Sequence, residues 1–536
     1  MKSNPLLQQN FRAAFCLRSI CLLAAIAWPR TAHADTEGEF QARRTVLLEQ
    51  VRGHLLGAGH WNTATEPATN RSVNDIGKHW WPRIFAELMA DPSNTPTIRQ
   101  SNGSDVTIAQ VIRGLCQHAP DYRPPAATDP SVGYLYFSPV GLGWALYAFP
   151  DAIDERDKLT VFEQTVRFAP SLSALNMFTG QGTENHMLMG RTGGYLICQA
   201  IIRRGASDPG SGYLFPEATR RLEELKGYFL AVARSTYDRG LGEWDSSIYY
   251  PYVVSCWLGM NEYADDPEVR SAAHAMLDWI AATVALRTSN GVFGGAEQRG
   301  AGLQGSGRSN LDQLAWLWWG GLPGGRSPEW QGSDYGQLVY AAMSRYRPPS
   351  PVVNLALKRL PPRDFGRQEF ETKPSYVLHG EKAVRQQTRV LFYTGRDYTL
   401  GAAIARPTGG WSAGDGQDMM WKLVANAAGP AGGAVVVGGP KGREPWRQVG
   451  MWKNVLFDFW RVPDDAAELR AEAMARIAEW RGRRGVSLRR AFPRDTSREN
   501  AVRPRVVAIE GVHASLLFSD GREVTLEPTG PTFVEL

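Results

Sequence analysis

The sequence has no apolar run of the roughly 20 residues needed to cross a bilayer. The short run Ile20 to Trp28 (ICLLAAIAW) falls well below that length, and no later segment reads as a membrane span. Cysteine is scarce, with five in 536 residues, and Cys16 and Cys21 lie in the N-terminal segment. The other three, Cys116, Cys198 and Cys256, each sit in an apolar, helix-like context and cannot all pair. Buried free thiols are therefore expected. No Cys or His spacing resembles a zinc site, no Gly-Lys-Ser/Thr stands at phosphate-loop spacing, and "GDGQDMMW" (414–421) lacks calcium-loop spacing. Neither metal nor cofactor is expected. No clean repeat is visible, which argues against a regular solenoid.

One sign of charge is not dominant either. The net charge is +5. Residues 1–34 read as an export signal, with Lys2, Arg12 and Arg18 before the apolar run and Ala32-His33-Ala34 as a small-x-small cleavage site. Losing that segment removes Lys2, Arg12, Arg18 and Arg30 and no acids, leaving about +1. This balance argues neither for nor against a polyanionic partner. A periplasmic or secreted location after cleavage at Ala34 is expected.

Hydrophobic residues make up 43%, with 18 Trp and 18 Tyr, ample for a large core with aromatic surfaces to spare. Helical periodicity dominates up to about residue 350. The spacing predicts helices over 40–56, 75–90, 107–118, 140–148, 154–169, 186–202, 218–237, 247–263, 267–286, 310–319 and 335–346. Asp266 is read as an N-cap with Pro267 at the first helical position. "YRPPSPVV" (346–353) reads as a linker. Beyond it, alternating runs such as "TRVLFYTG", "YTLGAAIA", "MMWKLVAN", "GGAVVVGG", "KNVLFDFWRV", "VVAIEGV", "HASLLFSDG" and "REVTLEP" predict antiparallel strands. They are interrupted by a charged helical insertion near 463–500 with an Arg-rich tail. The expected domains are thus 1–34 signal, 35–350 helical and 351–536 a β-sandwich.

Three stretches carry candidate chemistry. In "TGQGTENHMLMGRTGG", Glu184, Asn185 and His186 stand at the mouth of an apolar helix. A cap needs one oxygen, not an acid, an amide and an imidazole together. "RGLGEWDSSIYYPY" runs from Arg239 through Glu243, Asp245, Tyr249 and Tyr250 to Tyr252. The Gly-rich "NGVFGGAEQRGAGLQGSGRSN" bears Glu297, Arg299 and Arg308, and glycine lets backbone approach a ligand closely. Trp80 and Trp81 in "KHWWPR" are candidates for stacking on sugar rings.

"TENH" together with "GEWDSSIYYPY" resembles the Asn-His and Tyr elements of toroidal polysaccharide lyases: the alginate lyases, heparinases and chondroitin AC lyases. The alginate lyase and heparinase motif usually reads Asn-Asn-His, where this chain has Glu184 first. The resemblance implies an N-terminal (α/α) toroid, an incomplete helical barrel, followed by an antiparallel β-sandwich. It implies β-elimination on a uronate-containing polysaccharide or oligosaccharide, with no nucleic acid as partner. Asn185 would bind the uronate carboxylate with Arg239, Arg299 or Arg308, and His186, Tyr249 or Tyr250 would handle protons. Glu184, Glu243, Asp245, Tyr252, Glu297, Arg299, Arg308, Trp80 and Trp81 would contact substrate. A glycoside hydrolase using Glu184 with Asp245, Glu243 or Glu297 is the alternative; a non-catalytic glycan-binding protein is a third.

Overall fold

The computed structural model describes residues 37–53, 70–92, 96–99, 103, 105–118, 137–167, 184–207, 212, 214–243, 245–289, 291–300, 309–320 and 337–359. In the C-terminal part it describes 368–371, 375–376, 387–394, 398–405, 419–426, 434–438, 447–452, 455–460, 504–510, 513–518 and 523–526. The expected signal (1–34) and the charged insertion near 463–500 lie outside these residues.

The first part is helical. Its elements are α1 (Glu37–Gly53), α2 (Asn70–Ala90), α3 (Ile108–His118), α4 (Phe137–Ala148), α5 (Glu155–Arg167), α6 (Glu184–Ser207) and α7 (Phe215–Arg239). Then come α8 (Tyr250–Tyr263), α9 (Pro267–Arg287), α10 (Asn310–Trp319), α11 (Leu338–Met343) and α12 (Ser350–Ala356). Two short hairpins interrupt them, β1 (Thr97–Arg99) with β2 (Asp105–Thr107), and β3 (Thr288–Ser289) with β4 (Val292–Phe293).

The helix at the centre is α8. Every residue from Tyr250 to Met260 is buried, because its sequence is apolar all round rather than on one stripe. It packs against α6, α9, α10, α11 and α4. Close helix crossing is possible where a side chain is missing. A Cβ added to Gly193 in α6 would lie 2.3 Å from the Pro139 backbone in α4. Trp144 of α4 donates its indole N–H to the Ser255 carbonyl of α8 at 3.2 Å. Asp266 caps α9 as its sequence predicts, accepting from the N–H groups of Glu268 and Val269. Cys116, Cys198 and Cys256 are free and buried, and burial pushes the last two thiols up to about 12.

The linker expected at 346–353 is corrected. Ser350–Ala356 is a helix with proline in its first turn, a place where the missing N–H is not needed. It packs on α9, so helical structure runs past residue 350.

The later part is strands: β5 (Gln368–Glu371), β6 (Ser375–Tyr376), β7 (Gln387–Thr394), β8 (Tyr398–Ala405), β9 (Trp421–Asn426), β10 (Ala434–Gly438), β11 (Arg447–Trp452), β12 (Val455–Trp460), β13 (Pro504–Glu510), β14 (His513–Phe518) and β15 (Glu523–Leu526). A six-stranded antiparallel sheet runs β10-β9-β8-β7-β5 with β6 also on β7; β11–β12 and β13–β14–β15 form smaller antiparallel sheets. Strands β5, β6 and β11 are not among the runs quoted from the sequence. A second core cluster joins Val390, Leu400, Ala402 and Trp421 of the large sheet to Val449 and Leu456 of the β11–β12 hairpin, and it also takes in Ala296 from the loop after β4. No helix among the described residues is long and apolar enough to cross a membrane.

Candidate functional site

Three chain segments far apart in sequence meet where the helices adjoin the large sheet: the start of α6, the loop between α7 and α8, and the loop after β4. They carry most of the residues singled out above.

Glu184 opens α6 and reaches across to the α7–α8 loop. Its two carboxyl oxygens accept from the backbone N–H groups of Gly242 and Glu243, at 3.0 and 2.9 Å. That loop turns sharply, with Gly240 at φ 82° ending α7. Glu184 thus holds a neighbouring turn in place. Burial pushes its carboxyl up to about 7, assisted by the Glu243 charge, while the two N–H bonds pull the other way.

Glu243 returns the contact. One oxygen accepts from the backbone N–H of Asn185 at 3.0 Å and also from the Asn185 side-chain amide. The other is paired with the Arg299 guanidinium at 2.7 Å. Arg299 in turn donates to the Tyr249 phenol oxygen at 2.9 Å and lies over the Tyr249 ring, 4.0 Å from its centre. A chain of contacts therefore runs Asn185–Glu243–Arg299–Tyr249.

Around it, Asp245 is paired with Arg287 at the end of α9. Its backbone N–H donates to the Tyr250 hydroxyl at 2.8 Å. Arg287 also lies over the Phe392 ring of β7. Burial lowers Arg287 to about 9, which still leaves it charged at neutral pH. Glu297 is paired with Lys422 of β9, and Ser247 donates to its other oxygen. Burial pushes Lys422 down to about 7, and the Glu297 carboxylate against it favours the charged form. Charges this deep persist only when partnered.

Backbone strain collects here too. Among the described residues three non-glycine residues have positive φ, and two of them are Asp245 and Arg299. Such conformations last where surrounding contacts over-determine them, commonly at functional sites.

Burial sorts the candidates. Glu184, Asn185, Glu243, Asp245, Tyr250 and Glu297 are buried; His186, Tyr249 and Arg299 are half-buried. Only the outer three of these keep appreciable exposed surface. Tyr250 is pinned to Asp245, and burial and the charges of Glu184 and Glu243 raise its phenol well above the usual range. Tyr252 is fully buried, its ring 5.9 Å from that of Tyr249. Its expected substrate contact is corrected to core packing. The same holds for Trp80 and Trp81, which have no exposed surface. Trp81 stacks on Phe85, so neither ring offers a face to a sugar. Arg239 is the last residue of α7, and Arg308 lies outside the described residues.

Arg287, Lys422, Ser246 and Ser247 escape the sequence reading. The signal that finds two of them is a lone cation inside an apolar element, Lys422 in "MMWKLVAN" and Arg287 in "ATVALRTS", since such residues are rarely buried unless paired. No three His, Cys, Asp or Glu side chains among the described residues are grouped as a metal site would require.

The chain matches no family model and no curated protein. Its function must therefore be argued from the site itself.

Proposed function

We propose that the chain is an exported polysaccharide lyase that cleaves uronate-containing glycans by β-elimination, its helices forming an incomplete (α/α) toroid and its strands a β-sandwich. The observation that carries this reading is the half-buried Tyr249 phenol. Its oxygen is held by Arg299, whose guanidinium is itself fixed by Glu243 and, through Glu243, by Asn185.

The reaction removes the proton on C5 of the uronate, breaks the C4–O bond and leaves a C4–C5 double bond, while the departing oxygen gains a proton. The C5 proton is weakly acidic, so charge on the adjacent carboxylate has to be balanced as the enolate forms. Arg299 supplies that charge beside Tyr249. Tyr249 and His186, both half-buried, share the proton transfers. Asn185 is buried against Glu243, so it serves as a positioning residue rather than the carboxylate ligand its motif implies. Among Tyr249, Tyr250 and Tyr252, exposure and partners favour Tyr249 alone.

The hydrolase reading keeps one supporting observation, the Glu184 carboxyl at about 7, a value suited to a general acid. Against it, Glu184, Glu243, Asp245 and Glu297 are all buried and each is held by backbone or by a cation.

The test is a screen of the purified chain on uronate-containing and neutral glycans, watching for an ultraviolet-absorbing unsaturated product. Such a product from uronate glycans only, reduced about 100-fold or more by Tyr249→Phe, is expected. Cleavage of neutral glycans without unsaturation would sink the lyase reading in favour of the hydrolase.

A further inference from the structure

The sheet takes part in the site. We propose that Lys422, on β9, is a positioning residue that acts through Glu297 to aim Arg299 at Tyr249; the proposal rests on the lyase reading for its chemistry.

The loop after β4 is clamped to the sheet. Glu297 and Met419 exchange two backbone hydrogen bonds, at 2.9 and 2.8 Å. Loop and sheet touch backbone to backbone: a Cβ on Gly401 of β8 would lie 2.6 Å from the Gly295 Cα. Gly295 itself has φ 103°, so both positions require glycine. Onto this clamp Lys422 adds a charge aimed at the Glu297 carboxylate.

From Glu297 the path to the reacting groups is short. Its carboxylate folds back along its own chain, so a Cβ on Gly300 would meet it at 2.1 Å. Between these two residues stands Arg299, in its left-handed conformation. The Arg299 carbonyl accepts from Ser246 at 3.2 Å. Ser246 also accepts from the Tyr249 N–H at 3.0 Å, and its neighbour Ser247 donates to Glu297. Lys422, Glu297 and the two serines therefore fix the Arg299 backbone and the start of α8 relative to each other. Removing the ammonium leaves a buried carboxylate without its cation. That carboxylate then seeks water or another donor, and Arg299, two residues on, is displaced.

A double-mutant cycle tests this in the full chain. Tyrosine is labelled with carbon-13 at the ring Cζ, and the Tyr249 signal is assigned by its loss in Tyr249→Phe. Lys422→Met and Glu297→Gln are each expected to shift that signal, and the double variant, which removes both charges, to move it back toward wild type. The Tyr147 signal, held elsewhere by Gln199, stays in place. Turnover falls about 100-fold in Lys422→Met through kcat more than KM. If Lys422→Met does not fold, Lys422→Gln, which keeps a donor toward Glu297, takes its place in the cycle. A Tyr249 signal unmoved in every folded variant, or shifts that merely add, would overturn the proposal. The signal needs no turnover. A wild-type chain that makes no unsaturated product but shows the coupling defeats the lyase reading alone. A lyase-active chain with an uncoupled signal defeats this proposal alone.

Discussion

Ion pairs on the outer face of the helical part and ion pairs at the helix–sheet junction are set in different surroundings. On the outer face of the helical part, Arg220 and Arg221 pair with Glu217 and Glu224 along α7, and Arg203 pairs with Asp265 between α6 and the α8–α9 turn. Apart from Arg221, which lies largely buried along α7, these side chains keep much of their hydration and gain little from pairing. At the junction of helices and sheet, Asp245–Arg287 and Glu297–Lys422 have almost no exposure, and in Glu243–Arg299 the acid is buried while the guanidinium is half-buried. Taking such charges out of water costs several kcal/mol for each ion, and apolar residues of similar volume often give equal or better stability. Three such pairs around one turn are therefore poorly explained by stability. They are better explained as a means of holding Arg299 and Tyr249 in one geometry.

The largest expected effect comes from breaking one inner pair. Asp245→Ala leaves Arg287 buried without its carboxylate and should lower stability by about 3–5 kcal/mol, read from denaturant midpoints. A loss under about 1 kcal/mol would mean that Arg287 finds water or another acceptor, and the contrast between the regions would weaken.

Glu184 sharpens the contrast in a different way, because the structure gives it backbone N–H partners where its neighbours have cations. Its carboxyl is raised from 4.5 to about 7. Below 4.5 the group carries a proton in both folded and unfolded chains. Between 4.5 and about 7 the folded chain keeps the proton and the unfolded chain has lost it. Stability from this group is therefore full at low pH and is lost as pH rises through that window, by on the order of 3 kcal/mol. Glu184→Gln should remove this decline while keeping an acceptor for Gly242 or Glu243. Unfolding midpoints measured from pH 5 to 8 check it. Parallel curves for variant and wild type would show that Glu184 does not titrate there.

How far this arrangement could be read from the sequence depends on what each residue answers to. Helices such as α6 and α9 and strands such as β7 and β8 follow local periodicity and caps, and both are written in consecutive residues. The polar triplet Glu184-Asn185-His186 stands out for the same reason: it interrupts an apolar helix start. Its partners do not stand out, since Gly242 and Glu243 are 58 and 59 residues away. Lys422 shows only as a charge in an apolar strand, and its pairing with Glu297 is a tertiary fact with no local trace. Trp80 and Trp81 mislead because a ring that stacks on sugar and a ring that packs a core have the same composition. Pro349 and Pro351 mislead because proline marks both a linker and a helix start.

Tyr249→Phe separates the outer layer of the site from the inner one. It removes the oxygen that accepts from Arg299 and leaves the ring, so stability should fall by only about 0.5–1.5 kcal/mol. Lyase activity, as proposed, should nevertheless be lost. A fall in stability as large as that of Asp245→Ala would place Tyr249 with the buried layer.

The smallest effect belongs to the outer face. Arg203 and Asp265 are each about half exposed, and Arg203 also lies over the Tyr147 ring. Arg203→Ala removes both contacts, yet stability should change by less than about 1 kcal/mol, and by less still in high salt. The ratio between this value and that for Asp245→Ala is what the comparison rests on. Both variants cut an Arg–Asp pair that ties a helix to a neighbouring turn, one from the acid side and one from the arginine side, and the burial of the group left behind is the main difference. If the two losses are similar, burial of the inner pairs carries no special penalty, and the case for reading them as the frame of a reactive site loses its physical basis.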